Sequence, residues 1–204
     1  MMELERFLEK LSSDTPTPGG GSASALAGAL SASLVTMVAG LTSMKDKAKK
    51  KGMEEIRKKG VSIQKRLFRA IEEDSRSYDA VLKAFRLPRN SEKERLRRVK
   101  EIQRAYQRAT LTPQLVCRQS LQLLEYSRTL ILKGNPNAVS DAGVAAFLAD
   151  AACAGGLLNV KINLAGVAER SFVKKMNILM RNLARERNRR MKAIQKSLIG
   201  TYHV

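Results

Sequence analysis

Apolar residues recur every three or four positions along most of the chain, and no segment alternates strictly in twos, so the pattern is that of helices. Leu4, Phe7, Leu8 and Leu11 mark a short amphipathic helix from Met2 that ends in Ser12-Ser13-Asp14. Residues 22–44 carry no charge before Lys45, and small residues such as Ala25, Gly28 and Ala32 alternate with Leu26, Leu30, Leu34 and Val35. A helix apolar nearly all round should be covered on every side, by partner helices or by a second subunit. A basic hinge over 45–51 leads into a long stripe at 53–87 (Ile56, Ile63, Leu67, Ile71, Val81, Leu82, Phe85), which Pro88 ends. Ser91 with Glu94 matches a capping box and opens a helix through Leu96, Val99, Ile102 and Tyr106, which Pro113 should kink or split. The remainder, 115–132, stops at Gly134. A second nearly uncharged segment spans 140–164, and an amphipathic helix fills 168–198. The expected fold is all-α, one domain over 1–204: a bundle of about six helices with two central apolar ones.

Composition sharpens this picture. Aromatic residues make up only 4% and Trp is absent, so the core must be built from Ala, Leu, Val, Ile and Met, which suits packed helices better than a sheet. The formal net charge of +19 invites a polyanionic partner or an anionic substrate, although solvated basic helix faces produce the same figure. The polar face of 168–198 is overwhelmingly basic and would support non-specific electrostatic binding of nucleic acid. Aromatics for stacking are scarce, and no recognised nucleic-acid motif is present. Residues 22–44 are long enough to span a bilayer but weakly apolar, and read as a buried core helix rather than a membrane segment. The first residues do not resemble a signal peptide, and Cys117 and Cys153 suit buried thiols of a cytoplasmic protein. No metal-ligand spacing is present, and the single histidine is His203.

The most punctuated stretch is Pro16-Thr17-Pro18-Gly19-Gly20-Gly21-Ser22. Its glycines allow unusual backbone angles and close approach, so that the free N–H groups of the following helix can meet anionic or carbonyl groups of a ligand. A tight loop packed on a neighbouring helix is the alternative. Among carboxylates, Asp74 has Tyr78 on its own face one turn later, and Asp141 follows Ser140 at the mouth of the second apolar helix, where it could also act as a cap. Asn159 and Asn163, four apart, share one helix face.

Taken together, the Pro16 to Ser22 stretch, Asp74-Ser75-Arg76-Ser77-Tyr78 leading to Arg86-Leu87-Pro88, Gly134-Asn135 with Ser140-Asp141, and Asn159-Val160-Lys161-Ile162-Asn163-Leu164 resemble the cyclodeaminase/cyclohydrolase family. This is the C-terminal domain type of formiminotransferase-cyclodeaminase, which also occurs as a free-standing methenyltetrahydrofolate cyclohydrolase. The resemblance implies a helical homodimer acting on one-carbon tetrahydrofolates, polyglutamylated forms included, with no metal or other cofactor. It makes Asp74 the catalytic acid/base and Gly19, Gly20, Gly21, Ser22, Asn135, Ser140, Asp141, Asn159 and Asn163 the substrate-binding set, with Asp141 on the pterin ring. Hydrolysis of a methenyl bridge needs an activated water and then protonation of the departing nitrogen, both within reach of one carboxylate. Release of ammonia from a formimino group needs the same proton shuttling in another order. The free-standing length favours the cyclohydrolase. A basic nucleic-acid-binding module is the reading from a different class.

Overall fold

The two charge-poor segments form α2 (Gly20–Lys45) and α6 (Val139–Leu164), against which the other helices pack in a computed structural model that describes residues 4–45, 48 and 50–202. They run antiparallel. The Ser31 hydroxyl donates to the Ala145 carbonyl at 2.7 Å, and near the far end the Asn135 N–H donates to Thr42 Oγ1 at 2.9 Å. Small residues set the close approach: a Cβ on Gly28 would press on Leu67, and one on Gly155 would overlap the Ser24 side chain.

α3 (Lys50–Phe85) lies along α2, and α5 (Leu111–Lys133) lies along α6, where the Cys117 thiol donates to the Cys153 carbonyl at 3.5 Å. The four helices make a two-layer bundle, with α2 and α6 as one layer and α3 and α5 as the other. α1 (Leu4–Leu11) adds Phe7 to the core, and α4 (Glu92–Ala109) and α7 (Arg170–Tyr202) cover the flanks. α7 is tied to α6 by Arg187, whose Nε and Nη2 donate to the two carboxylate oxygens of Asp150 at 2.6 Å each. Gln103 of α4 grips the turn between α6 and α7: its amide donates to the Gly166 carbonyl and its oxygen accepts from the Ala168 N–H.

Several expectations shift in detail. α2 begins at Gly20, so two of the three glycines are already helical, and none of the described glycines has positive φ. The chain divides at Thr110 rather than at Pro113. Buried Thr110 turns its hydroxyl onto the Gln107 carbonyl at 2.6 Å, and Pro113 sits in the first turn of α5, where its missing N–H would have had no helical partner. Gly134 ends α5 in an extended conformation. A side chain there would overlap the Leu130 carbonyl, which explains the glycine without a left-handed turn. Ser91 and Glu94 form the expected capping box. The expected start at Met2, residues 46, 47 and 49 of the basic hinge, and His203 lie outside the described residues.

Within one chain α2 and α6 are not covered on every side. Leu30, Met37, Leu41 and Met44 of α2, Val144, Phe147, Leu158 and Ile162 of α6, and Phe68 of α3 are 41% to 84% exposed. Helical phase puts them on one side of the molecule: on α2 they point away from α5, and on α6 away from Cys153 and Gly156, which face α5. Both helices are long and apolar enough to cross a membrane by length and composition. In the fold each buries its opposite face in the bundle.

Candidate active site

A cavity of about 400 Å³ opens at the N-terminal end of α2, lined by Gly19, Gly20, Gly21, Asp74, Tyr78, Tyr106, Asn159 and Asn163 among others. α3 contributes Asp74 because its stripe is pinned along α2 by Leu67 and Ile71, which carries the next turn past the glycines. The loop before α2, which includes a cis Thr17–Pro18 peptide, closes one side.

The three glycines have separate spatial reasons. A Cβ on Gly19 would stand 3.3 Å from the Pro16 carbonyl, and one on Gly21 would overlap the Asp74 carboxylate. At Gly20 the nearest atom would be Asn159 Nδ2 at 3.8 Å, an ordinary contact, so a side chain there would project into the cavity. Close approach, not backbone angle, is the reason for the motif.

Ser22 is fully buried and does not line the cavity; it holds Asp74. Its hydroxyl donates to Asp74 Oδ2 at 3.0 Å and also lies 3.0 Å from the Ile71 carbonyl, while its backbone N–H donates to the same carboxylate. A hydroxyl has one proton, so the contact serves both states of the acid. An ionised Asp74 accepts from Ser22, and a protonated Asp74 can donate to it while the hydroxyl turns to Ile71. Burial raises the Asp74 pKa above the ordinary carboxylate range, and the two Ser22 hydrogen bonds only partly offset this. No ion pair to Asp74 is found among the described residues. A partly desolvated carboxylate free of a cation can take up and return a proton.

Asn163 Nδ2 donates to the Ala109 carbonyl and Asn159 Nδ2 to the Gly155 carbonyl, at 2.8 Å each. Each amide therefore retains its oxygen and one N–H for a ligand. Tyr106 packs edge-on to Phe85, ring centroids 6.1 Å apart, and presses on Gly166, where a Cβ would collide with the ring. Tyr106 and Phe85 escape sequence reasoning as site residues because their helical spacing is that of a core stripe. Asn135, Ser140 and Asp141, expected in the same site, are at the opposite end of α6. Eighteen residues separate Asp141 from Asn159, about 27 Å of helix.

The sequence profile described as formiminotransferase-cyclodeaminase matches residues 3–182. The chain belongs to the formiminotransferase-cyclodeaminase family. Within that family it is 37% identical over 173 residues to a methenyltetrahydrofolate cyclohydrolase of Methylorubrum extorquens, covering 84% of this chain and 83% of the relative. It is 28% identical over 185 residues to the mouse formimidoyltransferase-cyclodeaminase, where the match covers 90% of this chain but only 34% of that longer protein. In three dimensions it superposes on the crystal structure of formiminotetrahydrofolate cyclodeaminase from Thermotoga maritima with a TM-score of 0.87 and 28% identity, over 98% of this chain and 96% of the other.

Proposed function

We propose that this family member is a cytoplasmic methenyltetrahydrofolate cyclohydrolase, converting 5,10-methenyltetrahydrofolate to 10-formyltetrahydrofolate. The observation that carries the reading is Asp74, without an ion pair among the described residues and held by Ser22 in a cavity at a helix N-terminus, in a chain 37% identical to a protein named for that activity. Asp74 takes a proton from water as the oxygen adds to the methenyl carbon, and the neutral acid then protonates N5 as the carbon–N5 bond breaks. The carbinol proton leaves as the formyl C=O forms, so one proton is released per turnover. The first-turn N–H groups of α2 and the free polar atoms of Asn159 and Asn163 hold the pterin carbonyl and amino groups. A neighbouring groove between α3 and α4, where Lys83, Arg97 and Arg108 stand beside the Arg104–Glu101 and Arg76–Glu72 pairs and Glu73, and which shares Ser77 with the cavity, receives the glutamate tail.

The enzyme works as a homodimer. Nine large apolar side chains on one side offer an area on the order of the roughly 800 Å² per partner of a standard interface. Because α2 has no charged residue before Lys45, two chains of +19 can meet there with little repulsion. Release of ammonia from formiminotetrahydrofolate is the second reading, favoured by the superposition on the Thermotoga maritima cyclodeaminase. Feeding the purified chain each folate separates them. Decay of the methenyl absorbance faster than in buffer, with no ammonia from the formimino compound, is expected; ammonia release without methenyl hydrolysis would reverse the assignment.

A further inference from the structure

The turn over 165–169 folds α7 back along the last turns of α6, and the two helices leave a groove of about 800 Å³ between them. It shares no lining residue with the Asp74 cavity or with the exposed α2/α6 face. We infer that this groove docks an acidic amphipathic helix of a partner protein.

Its floor is apolar. Leu157 and Leu164 of α6 and Val173 and Met180 of α7 line it, each pair one heptad apart, which is the seam that two adjacent helices offer to a third. Its rim is cationic on both walls: Lys161 stands on α6, and Arg170, Lys174 and Arg181 follow at i, i+4 and i+11 along one face of α7. All four are exposed, and none makes an ion pair among the described residues. Between 157 and 184 the one carboxylate is Glu169, and its oxygens accept from Ser171 and from Gln107 of α4.

The placement of these charges selects the occupant. Arg170 and Arg181 are eleven residues apart, about 16 Å of helix. A fatty acid would bring one carboxylate to one end of that length and leave the other cations unmatched. A nucleic acid would meet the cations and give the apolar floor nothing to pack against. A flat anionic membrane would rest on the rim and leave the recess between the helices unfilled. A helix with an apolar stripe and acidic residues on both flanks answers the floor and both walls together, and about three turns of it match the span of the cations.

The test is binding of a fluorescein-labelled peptide of about 16 residues, with leucine at i, i+4, i+7 and i+11 and glutamate on both flanks, followed by anisotropy on the whole chain at about 0.15 M salt. A peptide of the same composition in shuffled order carries the same charge without the stripe. The striped peptide is expected to bind at least tenfold more tightly than the shuffled one. Lys174→Glu with Arg181→Glu should weaken it at least tenfold, and Met180→Gln at least threefold. Lys192→Glu with Lys196→Glu, the same change of charge on the same helix beyond the groove, should alter it less than twofold. Circular dichroism confirms that each variant remains helical. Equal binding of the two peptides, binding of neither, or equal loss in the two charge-reversed pairs overturns the inference. Palmitate or phosphatidylglycerol vesicles that bind through Lys174 and Arg181 while the peptide does not overturn it in favour of a lipid. A Lys174→Glu, Arg181→Glu chain that sediments as a smaller species than the parent overturns it as well, because a second copy then fills the groove.

Discussion

At the scale of single residues the molecule depends on Asp74 and what surrounds it. Its folded pKa is raised by burial, so the neutral form is favoured in the fold and the ionised form costs stability once pH rises through that value. Asp74→Asn is neutral at every pH and accepts the same Ser22 bond. Its melting temperature at pH 7 should equal or exceed that of the parent while turnover falls by about 10² to 10⁴. A melting point lowered together with unchanged turnover would make the carboxylate structural. In the parent, the acid limb of kcat/KM should lie above the ordinary carboxylate range, since catalysis begins with the ionised form. The glycines separate in the same way. Gly20→Val should raise KM with little change in melting, because its side chain enters the cavity. Gly21→Ala should lower both turnover and melting temperature, because its Cβ takes the space of the Asp74 carboxylate. Kinetics and thermal melts on the pair decide it, and equal behaviour would contradict the assignment.

At the scale of helices most boundaries were legible. Periodicity, Pro88, the Ser91 capping box and the loss of charge over 22–44 and 140–164 each have a local physical cause that a sequence displays. The split at Thr110 was displaced by three residues because Pro is well tolerated in a first turn, and the buried Thr110 hydroxyl that marks the true break has no sequence signal. The candidate site was legible in part. Gly19, Gly20, Gly21, Asp74, Asn159 and Asn163 do converge. Ser22, expected on the substrate, supports Asp74 from below, a role that only a contact 52 residues away along the chain reveals. Phe85 and Tyr106 were hidden because a wall of a cavity and a wall of a core use the same side chains. The clamp between α6 and α7 supplies a prediction at this scale. Arg187→Met leaves Asp150 partly buried without its partner and should lower stability by about 1–3 kcal/mol in denaturant melts, with turnover kept. A loss below the error of the melt would mean that apolar packing alone seats α7.

At the scale of the whole molecule the +19 charge is spread over exposed faces. On α7, Arg187, Arg189 and Arg190 are engaged by Asp150 and Glu186, while the groove beside the active site keeps several cations. Binding to single-stranded nucleic acid should therefore be detectable at low salt and disappear by about 0.2 M, and retention above that would point to a dedicated site. The separation of α2 from α6 has a consequence for synthesis. α2 meets α3 directly, but its other partner, Val139–Leu164, leaves the ribosome only after α3, α4 and α5. At about 5–20 residues per second, an uncharged helix with the length of a bilayer span waits on the order of ten seconds half-covered. For that interval the nascent chain presents a long apolar surface, and the packing of α3 onto α2 is the first contact that can cover part of it.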